Sequence, residues 1–258
     1  LKTLELQNNR IKEIPRSFGE LTNLQRLQLQ SNNIEKIHSN IENLSNLEFL
    51  NLNNNKIQSS LKFVGGMRNL KQLHIDGNKI KNIDPRLGNL ENLNVLNLKN
   101  NKLESLPKTI GELKELTELQ LSNNKLVALP SSIDGMEKLK ILVLYNNKLK
   151  SIAFNLGNLK NLRVLDLGYN QIKRIPLSFR NLQSAEFIKL DHNQIEEIPA
   201  DIGKLKNLAL LELDNNQITS IPPELGKLKN LTTLLLVKNH IVSLPSELSN
   251  LKNLILVF

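Results

Sequence analysis

The sequence predicts an α/β solenoid, a stack of short parallel strands joined by tight outer turns, and three observations predict it. A 23-residue period runs through the chain, with units beginning at Leu1, Leu24, Leu47, Leu70, Leu93, Leu116, Leu139, Leu162, Ala185, Leu208 and Leu231, no insertion, and a partial twelfth unit from Leu254 to Phe258. The ninth residue of every full unit is asparagine: Asn9, Asn32, Asn55, Asn78, Asn101, Asn124, Asn147, Asn170, Asn193, Asn216 and Asn239. Positions one, four and six are nearly always leucine or isoleucine, and positions eleven, fourteen, eighteen and twenty-one are mostly large and apolar. A solenoid grows without a domain boundary, so residues 1–258 are expected to form a single domain.

Each element follows from its place in the period. In the unit starting at Leu93, the alternation Leu93, Leu96, Leu98 turns apolar side chains inward from a short strand, and the residues between them face out. A strand this short cannot bury its leucines alone, so successive units must stack. Asparagine at the strand end turns the chain inward, and its amide can both donate to and accept from backbone groups of neighbouring turns. Proline at position fifteen, as in Pro15, Pro107, Pro130, Pro176, Pro199, Pro222 and Pro245, fixes the outer bend. Glycine at nineteen, as in Gly19, Gly88, Gly111 and Gly203, is expected to permit a turn before the last leucine. The pattern is looser early in the chain, where His38 and Glu42, Ser60 and Leu61, and Asp84-Pro85 replace the usual residues. Capping units are missing at both ends, so the chain is expected to be a fragment, with a terminal strand open to self-association.

Taken together, LxxLxLxxNxLxxLPxxIGxLxxL resembles the leucine-rich repeat, in the 23-residue variety of plant Ras-group-related, Scribble-like and many bacterial proteins. The resemblance covers the whole chain. It implies a right-handed horseshoe with a parallel sheet on its concave face and turns, 3₁₀ segments or short helices on the convex side. It also implies that positions three, five and seven line the concave face, where family members usually bind protein partners.

Those positions are mostly polar through the sixth unit, and the seventh breaks the habit with Ile141, Val143 and Tyr145. Position three stays apolar in Val164, Phe187 and Leu210, and both tyrosines, Tyr145 and Tyr169, fall beside this row. Solvent-facing strand positions have no folding reason to be apolar in four successive turns, so these residues form the candidate partner-binding patch. Asp166, Lys189, Asp191, Glu212 and Asp214 lie next to it as a polar rim suited to a basic partner. Lys189 is placed to compensate the repulsion among these acids. A bound divalent cation is the least favoured reading of these acids, because oxygen ligands are present but no loop spacing enforces a cage.

Composition narrows the function classes. The net charge is +9, which raises nucleic acid as a partner. On positions three, five and seven, however, only Arg26, Lys99 and Lys189 stand against seven acids, while positions ten, twelve and thirteen carry twelve bases against five. The basic excess is therefore an edge stripe without interleaved aromatics, and nucleic acid is not expected as a partner. With no cysteine there is no thiolate chemistry, and a reducing, cytoplasmic setting is favoured although the compartment stays open. No phosphate loop, nucleophile elbow or metalloprotease helix appears. His74 and Asp76 share a face, with Lys99 the expected partner of Asp76. The expectation is a non-catalytic protein-interaction module, without cofactor or metal, acting through units seven to ten. Two alternatives stay open: the regulatory part of a larger signalling enzyme, and a surface or secreted bacterial protein.

Overall fold

The computed structural model describes all of residues 1–258, in two compact units. The first comprises residues 1–126 and 135–138, the second residues 127–134 and 139–258. In the first, strands β1 (Thr3–Glu5), β3 (Arg26–Gln28), β5 (Phe49–Asn51), β6 (Gln72–His74), β7 (Val95–Asn97) and β8 (Glu118–Gln120) pair in parallel in that order. Their register aligns Leu4, Leu27, Leu50, Leu73, Leu96 and Leu119 in one inward column. Two shorter strands, β2 (Glu13–Ile14) and β4 (Lys36–Ile37), pair separately.

The second unit repeats the arrangement with β9 (Ile141–Val143), β10 (Val164–Asp166), β11 (Phe187–Lys189), β12 (Leu210–Glu212), β13 (Thr233–Leu235) and β14 (Ile255–Val257). Its inward column runs Leu142, Leu165, Ile188, Leu211, Leu234, Leu256. The last pairing is one residue shorter than the period requires, because Leu234 faces Leu256 and not Val257. The uninterrupted count of 23 therefore fails in the final strand. A one-residue slip exchanges the two faces of a strand, and here it keeps a leucine in the inward column while Ile255 and Val257 face out.

Asparagine nine of each unit is a backbone surrogate. Asn101 Nδ2 donates to the carbonyls of Ile75 (2.9 Å), Leu98 (3.2 Å) and Lys99 (2.9 Å), and its Oδ1 accepts from Ile80 N–H (3.1 Å). Asn193 repeats this in the second unit with Leu167, Leu190 and Asp191, accepting from Ile172. Asn9, in the first unit of the series, donates to its own Leu6 and Gln7 carbonyls. A second, exposed asparagine series, outside the sequence reading, ties the outer side. Asn46, Asn69 and Asn92 donate to Thr22, Ser45 and Arg68 in the first unit, and Asn207 and Asn230 to Gln183 and Lys206 in the second.

The outer connections are 3₁₀ turns of five residues, and no helix is long and apolar enough to cross a membrane. Proline caps most of them in an extended conformation, as at Pro107 and Pro199. At two turns where proline is missing or shifted a side chain does the capping: His38 Nδ1 accepts from Asn40 N–H, and Asp84 Oδ1 from Arg86 N–H, whereas Ala153 caps its turn without a side-chain bond. Leu61 instead enters its turn left-handed at φ 64° and is buried. Glycine nineteen is needed for closeness and not for turning. A Cβ on Gly203 would lie 2.5 Å from the Glu224 carbonyl oxygen of the next turn, and one on Gly19 would collide with the Asn40 carbonyl.

Candidate functional site

On β9 to β12 the inward column is fully buried, so the residues flanking it face outward. Strand register sets Ile141, Val164, Phe187 and Leu210 side by side in one row, and Val143, Asp166, Lys189 and Glu212 in the next. Phe187 is 39 % exposed, and the other three apolar residues of its row are half-buried. The candidate patch is therefore continuous across four strands of the second unit.

Beyond the strand ends three rings are in contact. Tyr145 and Tyr169 lie 5.0 Å apart at 55°, and Tyr169 stacks on His192 at 3.8 Å and 15°. His192 Nδ1 sits 2.9 Å from Asp191 Oδ2. Tyr169 and His192 occupy position eight of their units, where the backbone is left-handed in every unit. Asparagine holds that position in six units, including Asn100, Asn123 and Asn215, and glycine in one, Gly77. Those residues tolerate the conformation, whereas a bulky side chain adds roughly 1–2 kcal/mol of strain. Tyr169 and His192 carry that strain at φ 53° and 51°. His192 was given no role by the sequence, because its backbone conformation is invisible in a leucine pattern. The irregular filling of position eight was the available signal.

Gly168, next to Tyr145 on position seven, leaves a notch that the carboxylate of Asp191 fills. A Cβ on Gly168 would lie 2.5 Å from Asp191 Oδ1. Asp191 is only 7 % exposed, and Asp214 accepts from Val237 N–H at 2.6 Å. The expected like-charge contact of these two acids is thus eased by local partners. Lys189 pairs with Glu212 at 3.2 Å.

The field over this surface is negative. Burial, joined by the charges of Asp191 and Glu212, raises the pKa of Asp166 against the opposing Gly168 N–H and Lys189. Burial alone would lower the Lys189 pKa, yet the hydrogen bond to Glu212 and the charges of Glu212, Asp166 and Asp191 raise it above its ordinary value. The Tyr145 hydroxyl is also raised, by burial and then by Tyr169, Asp191 and Asp166. The acids around Lys189 thus outweigh the effect of its partial burial. No three acids or histidines converge as metal ligands would.

In the first unit, Asp76 accepts from Asn100 Nδ2 at 2.7 Å, and this contact replaces the expected Lys99 pairing. Asparagine reaches it from the adjacent turn with a short, stiff side chain. The Arg26 guanidinium lies 3.6 Å over the Phe49 ring, which meets His74 at 5.4 Å. Burial lowers the His74 pKa.

Stacked parallel strands, buried asparagines and capped 3₁₀ turns define a leucine-rich-repeat solenoid, and the chain belongs to the leucine-rich repeat family. The model described as "Leucine-rich repeat region" matches residues 52–175, and "Leucine rich repeat" matches 1–57 and 188–241. Among solved structures, a leucine-rich repeat protein of Leptospira interrogans is similar at 33 % identity and TM-score 0.84, over 100 % of this chain and 72 % of that one. The ectodomain of the Arabidopsis thaliana receptor kinase GASSHO1/SCHENGEN3, in complex with CASPARIAN STRIP INTEGRITY FACTOR 2, is similar at 33 % and TM-score 0.85, over 98 % of this chain and 32 % of that one. The plant peptide hormone receptor RGFR1, in complex with RGF2, is similar at 30 % and TM-score 0.82, over 100 % of this chain and 47 % of the receptor. No curated protein matches the chain.

Proposed function

We propose that this chain is a non-catalytic recognition module that holds a protein segment against the open sheet face of repeats seven to ten. Ile141, Val143, Tyr145, Val164, Tyr169, Phe187 and Leu210 anchor the partner. Asp166, Asp191, Glu212 and Asp214, with Lys189 among them, select a basic side chain and orient it. One observation carries this reading: the ring column Tyr145–Tyr169–His192 stands beside a four-strand apolar row, with two rings on left-handed backbone that asparagine would occupy at lower cost. Strain kept at a solvent-facing position points to a use outside the fold. Tyrosine faces attract cations, and the acids that raise the Lys189 pKa, Glu212, Asp166 and Asp191, favour a cation beside them.

The relatives support the mode, since two similar plant receptor structures were solved in complex with named partners. One of them belongs to a receptor kinase, which favours as a second reading the regulatory repeat region of a larger signalling enzyme. The binding surface is the same in both readings, and the full-length reading frame decides between them.

The test is affinity capture with the wild type and with the Tyr145→Ala/Phe187→Asp double variant, followed by titration of what only the wild type retains. Loss of two interface-centre aromatics should weaken binding by about 2 kcal/mol or more, roughly thirtyfold in Kd. An unchanged affinity with the fold intact by circular dichroism would overturn the location.

A further inference from the structure

The second unit carries another surface, on the outer side of repeats seven and eight, that partner recognition on the sheet does not use. Phe154 and Leu177 open two successive 3₁₀ turns, Phe154–Asn158 and Leu177–Asn181, and are 66 % and 56 % exposed. Elsewhere that position is polar or small, as in Lys108, Ser131, Ala200 and Pro223. Isolated exposed apolar residues need no explanation, but two large ones on adjacent turns form a patch. The same two repeats carry a shallow groove of about 400 Å³ lined by Lys150, Ser151, Ile152, Lys173, Arg174 and Pro176, of which Ile152 and Pro176 are two residues or fewer in sequence from Phe154 and Leu177.

Lys150, Lys173 and Arg174 have no carboxylate within ion-pairing distance, a state they share with Lys148 and Lys206 but not with Arg163, Arg180 and Lys204, which are paired. The polarity then reverses within one repeat, because Glu196 and Glu197 occupy the places of Lys173 and Arg174. At positions twelve and thirteen the basic edge is thus interrupted on both sides of these two turns, by Val127 and Ala128 before them and by Glu196 and Glu197 after them. A flat anionic membrane would also meet Glu196 and Glu197, which repel it. A narrow acidic chain would not.

We propose that this groove is a second docking site, taking an acidic segment of a protein partner that inserts a bulky apolar side chain between Phe154 and Leu177. Carboxylates of the segment replace the counter-charges that Lys150, Lys173 and Arg174 lack. The apolar insertion makes the site more than a charge contact, and it gives the site a selectivity that a solvated lysine edge does not have.

The test uses a fluorescent peptide of glutamates interrupted by leucine and phenylalanine, a length-matched oligo-glutamate, and phosphatidylserine vesicles. The mixed peptide should bind about tenfold more tightly than oligo-glutamate, and Phe154→Ser/Leu177→Ser should remove that advantage. Lys173→Glu/Arg174→Glu should abolish binding of both peptides, while Tyr145→Ala/Phe187→Asp should leave it unchanged. All four outer residues are exposed, so these variants should melt with the wild type. Equal binding of the two peptides, indifference to Phe154 and Leu177, or tight capture by the vesicles would each overturn the proposal.

Discussion

Asp166 shows how a single residue serves the fold and, on the proposed reading, the binding surface as well. Its Oδ1 accepts from Gly168 N–H at 3.0 Å, a bond that Asn51 and Asn97 make with Asn53 and Lys99 at the same position of other repeats. Asparagine can therefore replace it without loss of that contact. Burial raises the Asp166 pKa, so the folded state binds its proton more tightly than the unfolded chain does. The contribution of this group is most favourable at pH below the ordinary carboxylate value of about 3.9, and is lost as pH rises through the higher folded value. Asp166→Asn, neutral throughout, should raise the melting temperature near pH 7, with the gain shrinking toward pH 3. The same variant should weaken binding of a basic partner. Thermal melts across pH check the first effect and titration with the captured partner the second. A variant that melts below the wild type near pH 7 would refute this account of the carboxylate.

Among the elements, the outer turns separate two uses of glycine. At Gly203 the obstruction to a side chain is the Glu224 carbonyl oxygen, part of a hydrogen-bonded stack that cannot retreat cheaply. Gly203→Ala should therefore cost about 1–3 kcal/mol by urea unfolding. At Gly168 the obstruction is the side chain of Asp191, which can swing away. Gly168→Ala should cost less stability, yet should disturb partner binding by displacing that carboxylate. Equal stability losses would show that the notch is only a packing device. These two sites also mark what was legible in the sequence. Leucine spacing and the ninth asparagine carry the fold class because each reports a side chain that must be buried or must satisfy backbone groups in every repeat. Outward strand residues were legible from the same alternation. The position-eight backbone, the Asp191 notch and the close approach behind Gly203 depend on neighbours 21 to 24 residues away, and a pattern within one repeat does not encode them. The final strand shows the same limit: local leucine placement overrode the period there.

For the molecule as a whole, the net charge of +9 is misleading unless it is located. In the second unit the negative field lies over the sheet face around Asp166, Asp191 and Glu212, while Lys150, Lys173 and Arg174 crowd an outer groove. On the proposed reading, opposite potentials on separate surfaces of one unit suit two partners of opposite charge, or two segments of one partner, that do not compete. The acidic peptide and the captured basic partner should therefore bind together, each keeping its Kd within about twofold when the other is saturating, as expected of sites with no shared contacts. Both affinities should fall as salt rises, since exposed charges contribute to each. Saturating with one ligand while titrating the other measures the coupling directly. Mutual displacement would mean that the two ligands meet on a single surface, and the separation of function between sheet and groove would then have to be abandoned.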